Sequence, residues 1–342
     1  MFKIFYEYKM AIKQRDHSMD VLRGIAIFFV IFGHITHIFD IRTYIWGFHM
    51  PLFFWLSGYF FYTDRYANTK DFIKSRVTKL IVPYVFFYLI TFCYWGVIER
   101  HVRGADLSLG SQLFGMLYGT YDLRYMYFNG ALWFLPCLVS MEILYWLISK
   151  VKKTWVMLSI IVFCHAVGIC FHEKIGWLPW GITSAMIALV YFALGVWARP
   201  FVRKIEGFKS WIFFVAGISL IVVQYIVLPF TGADLGGQKF SYPQLYIPIS
   251  VLGIGAWLMI AKGIRKNTLL EWMGRNTLVL FAFQEPVYRM VIFIMSKVVN
   301  QPTDFIRTDL LCALLCTVLS IIVIAPLVWG YGKYVNPLLK RL

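Results

Sequence analysis

An arginine and a histidine stand eleven residues apart, Arg23 and His34, within one apolar run, DVLRGIAIFFVIFGHITHIF. In an α-helix, eleven steps of about 100° return the second side chain to within roughly 20° of the first, about 16 Å further along the same face. One stripe of this helix therefore carries a permanent cation near one membrane edge and a titratable imidazole deep in the apolar layer. Ionisable groups at such depth are costly and mark function by default. The chemistry they suit is group transfer. A hydroxyl is a poor nucleophile at neutral pH, and imidazole titrates in the range a general base needs to activate it. Guanidinium and ammonium groups pair with the phosphates of a phosphorylated group donor. On this reading His34 is the catalytic base, and Arg23, Arg76 and Lys79, all at the same membrane edge, hold the donor. The plainer alternative makes His34 a satisfied core residue and the three cations headgroup anchors whose stems snorkel.

Other polar residues fall within apolar runs. Glu285 and Arg289 are four residues apart, the spacing of an ion pair on one helix face, and Arg289 should lie near the depth of His34, where the pair would line an acceptor pocket. His49 and Trp133 sit near the outer surface, placed for sugar binding or for interfacial anchoring. Glu142 is isolated, a structural partner for a basic residue near the cytosolic threshold. His37 follows His34 by three residues, but no acidic or cysteine partner completes a zinc pattern, so no metal is expected.

The elements that must position these residues are membrane helices. The 342 residues are 60% hydrophobic and 15% charged, with a mean hydropathy of +0.68, whereas a soluble domain is about 25% charged. Ten apolar windows of spanning length, centred near residues 30, 54, 88, 140, 163, 190, 220, 253, 287 and 320, take up most of the chain. They leave no room for a soluble catalytic domain. The fold expected is an all-α polytopic membrane bundle of about ten transmembrane helices forming a single domain. Residues 1–19 form an N-terminal cytosolic or interfacial segment, 20–331 the transmembrane core and 332–342 a cytosolic tail. The net charge of +16 follows topology: alternate loops, together with both termini, hold 23 of the lysines and arginines and the remaining loops 8. The positive-inside tendency then puts both termini in the cytosol, and the spread of charge excludes a nucleic-acid partner. All six cysteines fall in predicted spans, away from any extracytoplasmic disulfide.

Four further blocks accompany the arginine to histidine spacing: FHMPLFFWLSGYFF at 48–61, DFIKSRVTKLIVPY at 71–84, NGALWFLPCL at 129–138 and GRNTLVLFAFQEPVYR at 274–289. Together and in this order they resemble acyltransferase family 3, the integral membrane O-acyltransferases, from about Asp20 to the last span. The wording FHMPLFF is most similar to the branch of fucose 4-O-acetylase-like and intercellular-adhesin modifying proteins. The resemblance implies transfer of an acyl group, acetyl from cytosolic acetyl-CoA, to a hydroxyl of an envelope glycan or lipid-linked sugar. It also implies residence in the bacterial cytoplasmic (inner) membrane. Arg23 and His34 match the family's paired motif. Lys79 stands where many members carry a second arginine after Arg76, which keeps the charge and loses the bidentate fork. Gln284 stands where many carry histidine. A glycan flippase or exporter, which would more often show repeated halves or broken helices, and a scaffolding protein, which needs no such stripe, are the rival classes.

Overall fold

The computed structural model describes residues 16–339 other than 123, 177, 228, 230 and 231. The expected N-terminal segment therefore lies outside the described residues up to position 15, as do the last three residues of the expected tail. The chain is helical almost throughout. In order run α1 (His17–Ile35), α2 (Phe39–Trp46), α3 (His49–Tyr59), α4 (Thr69–Glu99), α5 (Leu109–Tyr118), α6 (Phe134–Ile148) and α7 (Thr154–Ile175). They are followed by α8 (Ile182–Lys204), α9 (Ser210–Ile226), α10 (Tyr246–Ile264), α11 (Thr268–Arg275), α12 (Thr277–Val298), α13 (Thr303–Thr308) and α14 (Leu310–Gly330). One antiparallel hairpin, β1 (Ala233–Asp234) with β2 (Lys239–Phe240), interrupts them between α9 and α10.

Each of the ten apolar windows falls on a helix. Among the described residues seven helices have the length and apolarity to cross a membrane: α1, α4, α6 with its preceding turn, α8, α10, α12 and α14. Among the described residues the apolar stretches of α7 (Thr154–Cys170) and α9 (Ser210–Ile226) are shorter. The second window differs most from expectation: α3 has eleven residues, about 16 Å of helix against a hydrocarbon core of about 30 Å. The chain breaks at Gly47 between α2 and α3, so that run reaches only part of the way across.

α1 is a central helix, 78% of its apolar window being buried, whereas α4 and α14 are buried over only 33% of theirs. Large apolar side chains including Val97, Phe163, Trp211, Ile226, Leu311 and Ile322 are exposed, as a lipid-facing surface requires. Helices pack against one another through glycine, because lipid provides little hydrophobic drive to bring apolar helices together and close backbone approach supplies dispersion contacts instead. A Cβ on Gly24 of α1 would fall 2.1 Å from the Leu270 carbonyl oxygen of α11, and one on Gly274 of α11 would fall 2.0 Å from that of Asp20. The same reciprocal arrangement joins α3 to α8: a Cβ on Gly58 would lie 2.0 Å from Phe192 O, and one on Gly195 2.0 Å from Trp55 O. Gly58 is thus the point at which α3 meets α8 most closely. α11 docks on the start of α1 and leads directly into α12, which packs along the same helix; this places Glu285 within electrostatic reach of His34.

Candidate active site

α1 is built to carry different chemistry at its two ends. Asp16 caps the N-terminus by accepting from the Ser18 and Met19 amides at 3.1 and 3.4 Å. At the other end, Arg307 of α13 donates to the carbonyls of His34 (2.7 Å) and Ile35 (3.0 Å), while the His37 amide returns a bond of 2.8 Å to Arg307 O. A cation on the last carbonyls complements the helix dipole and satisfies groups that have no partner within the helix. Arg307 therefore fixes the turn on which His34 stands.

The His34 side chain is half-buried between two aromatic rings. Tyr288 of α12 lies nearly parallel, with centroids 6.4 Å apart and 15° between planes, and Trp46 of α2 lies 6.5 Å away. Trp46 is itself held by an Nε1–H bond of 3.3 Å to Gly33 O. Among the described residues the His34 imidazole makes no hydrogen bond, so neither ring nitrogen is committed. The carboxylates acting on it are Glu285 and Asp234, and the cations Arg42 and Arg307. Trp46, Arg42 and Asp234 also line a cavity of about 810 Å³ enclosed by α2 and the β-hairpin, with Phe39, Lys239 and Phe240 on its walls. His37, one turn beyond His34, is also in its lining, whereas His34 itself is not.

Asp234 accepts from the Gly237 amide at 2.9 Å across the tip of the hairpin, and burial pushes its carboxyl above the ordinary carboxylate value. His49, the first residue of α3, is buried, with Nδ1 2.9 Å from the Ile45 carbonyl. A carbonyl only accepts, so Nδ1 carries the proton and Nε2 the lone pair. His34 and His49 are close enough to interact electrostatically. Trp133 packs beneath the same hairpin, where a Cβ on Gly236 would meet its Nε1 at 3.0 Å.

Glu285 and Arg289 form the ion pair their spacing suggests, at 2.9 Å. The Glu285 carboxylate also accepts the Gly130 and Ala131 amides at 3.2 and 2.8 Å, capping the turn that opens α6, and Arg289 continues to Glu99 at 2.6 Å. The pair therefore joins α12, α6 and the end of α4 into one buried network beside His34.

A second cavity, of about 770 Å³, lies at the N-terminal end of α1 and is lined by Arg23, Arg65, Arg203, Lys262 and Arg265 together with acidic side chains. The Arg23 guanidinium lies 3.9 Å from the Phe60 ring centroid and 3.7 Å from Asp20. Lys262 is buried between Asp16 and Glu206 at 3.2 and 3.1 Å. Arg76 does not line this cavity. It is buried, ion-paired with Glu142 of α6, and donates to the Tyr66 hydroxyl and, at 3.0 Å, to Ser75 Oγ. Glu142 is thus the structural partner its isolation suggests. Lys79, three residues on, sits in a π-helical turn (Val77–Ile81) with its side chain exposed, within electrostatic reach of Arg65.

The structure brings His34, His49, Glu285 and Arg289 into one neighbourhood, with Trp133 under the adjoining hairpin, and separates them from Arg23 and Lys79 by most of the length of α1. Sequence reasoning does not reach Arg42, Asp234 or Arg307. They come from short polar connections with no apolar period to place them, and only the glycine-rich stretch GADLGG announces a tight turn. The cavity cations Arg65, Arg203 and Arg265 read in the sequence as ordinary basic loop residues.

Searches of curated proteins and of solved structures each found no match. A family model described as an acyltransferase domain matches residues 16–329, spanning both cavities and every helix from α1 to within a residue of the end of α14. The chain belongs to this acyltransferase family and is an integral membrane enzyme that transfers acyl groups.

Proposed function

We propose that the protein transfers acetyl from acetyl-CoA to a hydroxyl of an envelope or exported glycan, in the manner of the fucose 4-O-acetylase-like and intercellular-adhesin modifying branch, from within the bacterial cytoplasmic membrane. Both termini face the cytosol, and the basic cavity at the start of α1 receives the donor. Arg23 and its neighbours pair with the CoA phosphates, Lys79 adds charge at the edge, and Arg76 acts on that edge through its grip on Glu142 and Tyr66. The pantetheine arm runs along α1 toward His34, while the acceptor enters the opposite cavity. Glu285, with its partner Arg289, and His49 act on the His34 end electrostatically from behind that cavity, and Trp133 supports the hairpin that walls it.

The imidazole of His34 removes the proton from the acceptor hydroxyl as its oxygen attacks the thioester carbonyl. A new C–O bond forms and the carbonyl pair moves to oxygen. Collapse restores the carbonyl and breaks the C–S bond, and the imidazolium returns the proton to the departing CoA sulfur. The observation that carries this reading is an uncommitted imidazole and a cluster of cations at opposite ends of one buried helix, each beside a cavity large enough for part of a substrate.

The test uses purified protein in nanodiscs with radiolabelled acetyl-CoA and an extracted envelope glycan. His34→Gln should abolish labelled product while leaving acetyl-CoA binding in place, and His37→Ala should be milder. Normal transfer by His34→Gln would remove the assignment, and export of sugar without CoA release would favour a flippase.

A further inference from the structure

The cavity at the His34 end is unevenly charged. Arg42 and Lys239 line it, and Arg307 lies close enough for its charge and that of Arg42 to repel. Among the described residues no carboxylate lies within ion-pairing distance of Arg42 or Lys239. His37 adds no charge at neutral pH, because burial and the neighbouring Arg307 hold it below its ordinary value. Of the nearby acids, Asp234 lines the same cavity within electrostatic reach of Arg42 and Lys239, one carboxylate against two lining cations, and one of its oxygens accepts from the Gly237 amide. Asp304 is 81% exposed, beside His37. Glu285 is neutralised by Arg289. Arg42 also has a fixed place, its guanidinium carbon lying 4.1 Å from the Trp46 ring centroid, on the same ring that flanks His34 at 6.5 Å.

Resting on the transferase reading above, we propose that the acceptor is an anionic sugar, bearing a carboxylate or a phosphate ester, whose charge is held by Arg42 and Lys239 while its hydroxyl faces His34. The arrangement accounts for both halves of such a ligand. Trp46, Phe39 and Phe240 offer apolar faces to a sugar ring, and the guanidinium forms a bidentate pair with either carboxylate or phosphate. Because base and cation both border the Trp46 ring, the anion and the reacting hydroxyl belong to the same sugar or to adjacent ones. Two cations against one carboxylate in the lining leave an excess of positive charge, which favours an anionic occupant.

The proposal is tested by binding before turnover, so that its failure is distinguishable from failure of the transferase reading. Saturation-transfer NMR on the full-length protein in zwitterionic nanodiscs is run with glucose, glucuronate and glucose 1-phosphate as probes. Glucuronate or glucose 1-phosphate should bind at least about tenfold more tightly than glucose, the effect of one charge-assisted contact. Arg42→Gln should reduce that ratio about tenfold, Lys239→Gln should reduce it less, and Arg42→Lys should recover part of it. Carboxylate and phosphate arms identify which anion is read. Equal binding of all three probes, or an Arg42→Gln variant that keeps the preference, would overturn the proposal. Displacement of the anionic probes in nanodiscs of anionic lipid would assign the cavity to headgroups and overturn it equally. Absence of CoA release with any acceptor counts against transfer and leaves the binding result standing.

Discussion

Glu142→Gln removes the charge that faces Arg76 in a setting where neither group has much access to water, Arg76 being 8% and Glu142 5% exposed. A buried pair contributes little relative to a well-packed apolar pair, but deleting one partner strands the other, at a cost of about 3–5 kcal/mol. The Tyr66 hydroxyl and Ser75 Oγ remain for the guanidinium, so Glu142→Gln should fall near the lower end, about 3 kcal/mol. Arg76→Gln should fall nearer the upper end, because no other described cation is hydrogen-bonded to Glu142. The double change Arg76→Met with Glu142→Met removes both charges and should cost no more than either single change, giving a large coupling energy. Stability is read from unfolding in mixed micelles of increasing SDS, and the KM for acetyl-CoA is measured on the fraction that stays folded. Because the guanidinium is committed to Glu142, both single variants should shift that KM alike. Single changes within about 0.5 kcal/mol of wild type would refute the burial argument. A rise in KM confined to Arg76→Gln would show that the guanidinium touches the donor.

Arg307→Gln withdraws two hydrogen bonds from the last carbonyls of α1 and should lower kcat about tenfold or more with the donor KM unchanged, since the basic cavity lies at the far end of the helix. Gly58→Ala and Gly195→Ala each put a Cβ about 2 Å from a backbone carbonyl and should cost at least about 3 kcal/mol or block accumulation of folded protein; Gly207→Ala, with nothing within 4 Å of its Cβ, should be neutral in the same unfolding assay. Hydrogen bonding from His17 holds the Glu271 carboxyl below its ordinary value, and the Cys312 amide does the same for Asp309. Depressed carboxylates stabilise above their unfolded values and lose that contribution as pH falls through the folded ones, so the melting midpoint should decline below about pH 4, less steeply in Glu271→Gln and Asp309→Asn.

Hydropathy located the helices well, because a spanning segment must satisfy its own backbone and therefore announces itself as a long apolar run. It overstated the second window, since FHMPLFFWLSGYFF is apolar enough to span while the chain breaks at Gly47 and leaves eleven helical residues. Periodicity placed Arg23 and His34 on one face, and the i to i+4 rule paired Glu285 with Arg289. Neither rule could place Arg307 on the carbonyl of His34, a contact between residues 273 apart in sequence, or lay the hairpin bearing Asp234 beside the same histidine. Charge counting was least informative at residue level. Arg76 and Lys79 look equivalent in DFIKSRVTKLIVPY, yet one is buried against Glu142 and the other exposed, a difference set by which side of the helix meets α6.

On the proposed reading, donor and acceptor reach one imidazole from opposite faces of the membrane. Inverted membrane vesicles, with the N-terminal end of α1 outward, and intact spheroplasts are each given radiolabelled acetyl-CoA, which does not cross the bilayer. Label should enter glycan only in inverted vesicles, should disappear with His34→Gln, and should require a higher donor concentration with Arg23→Gln. Incorporation from the spheroplast side, or undiminished incorporation by His34→Gln in inverted vesicles, would exclude this arrangement of donor, base and acceptor.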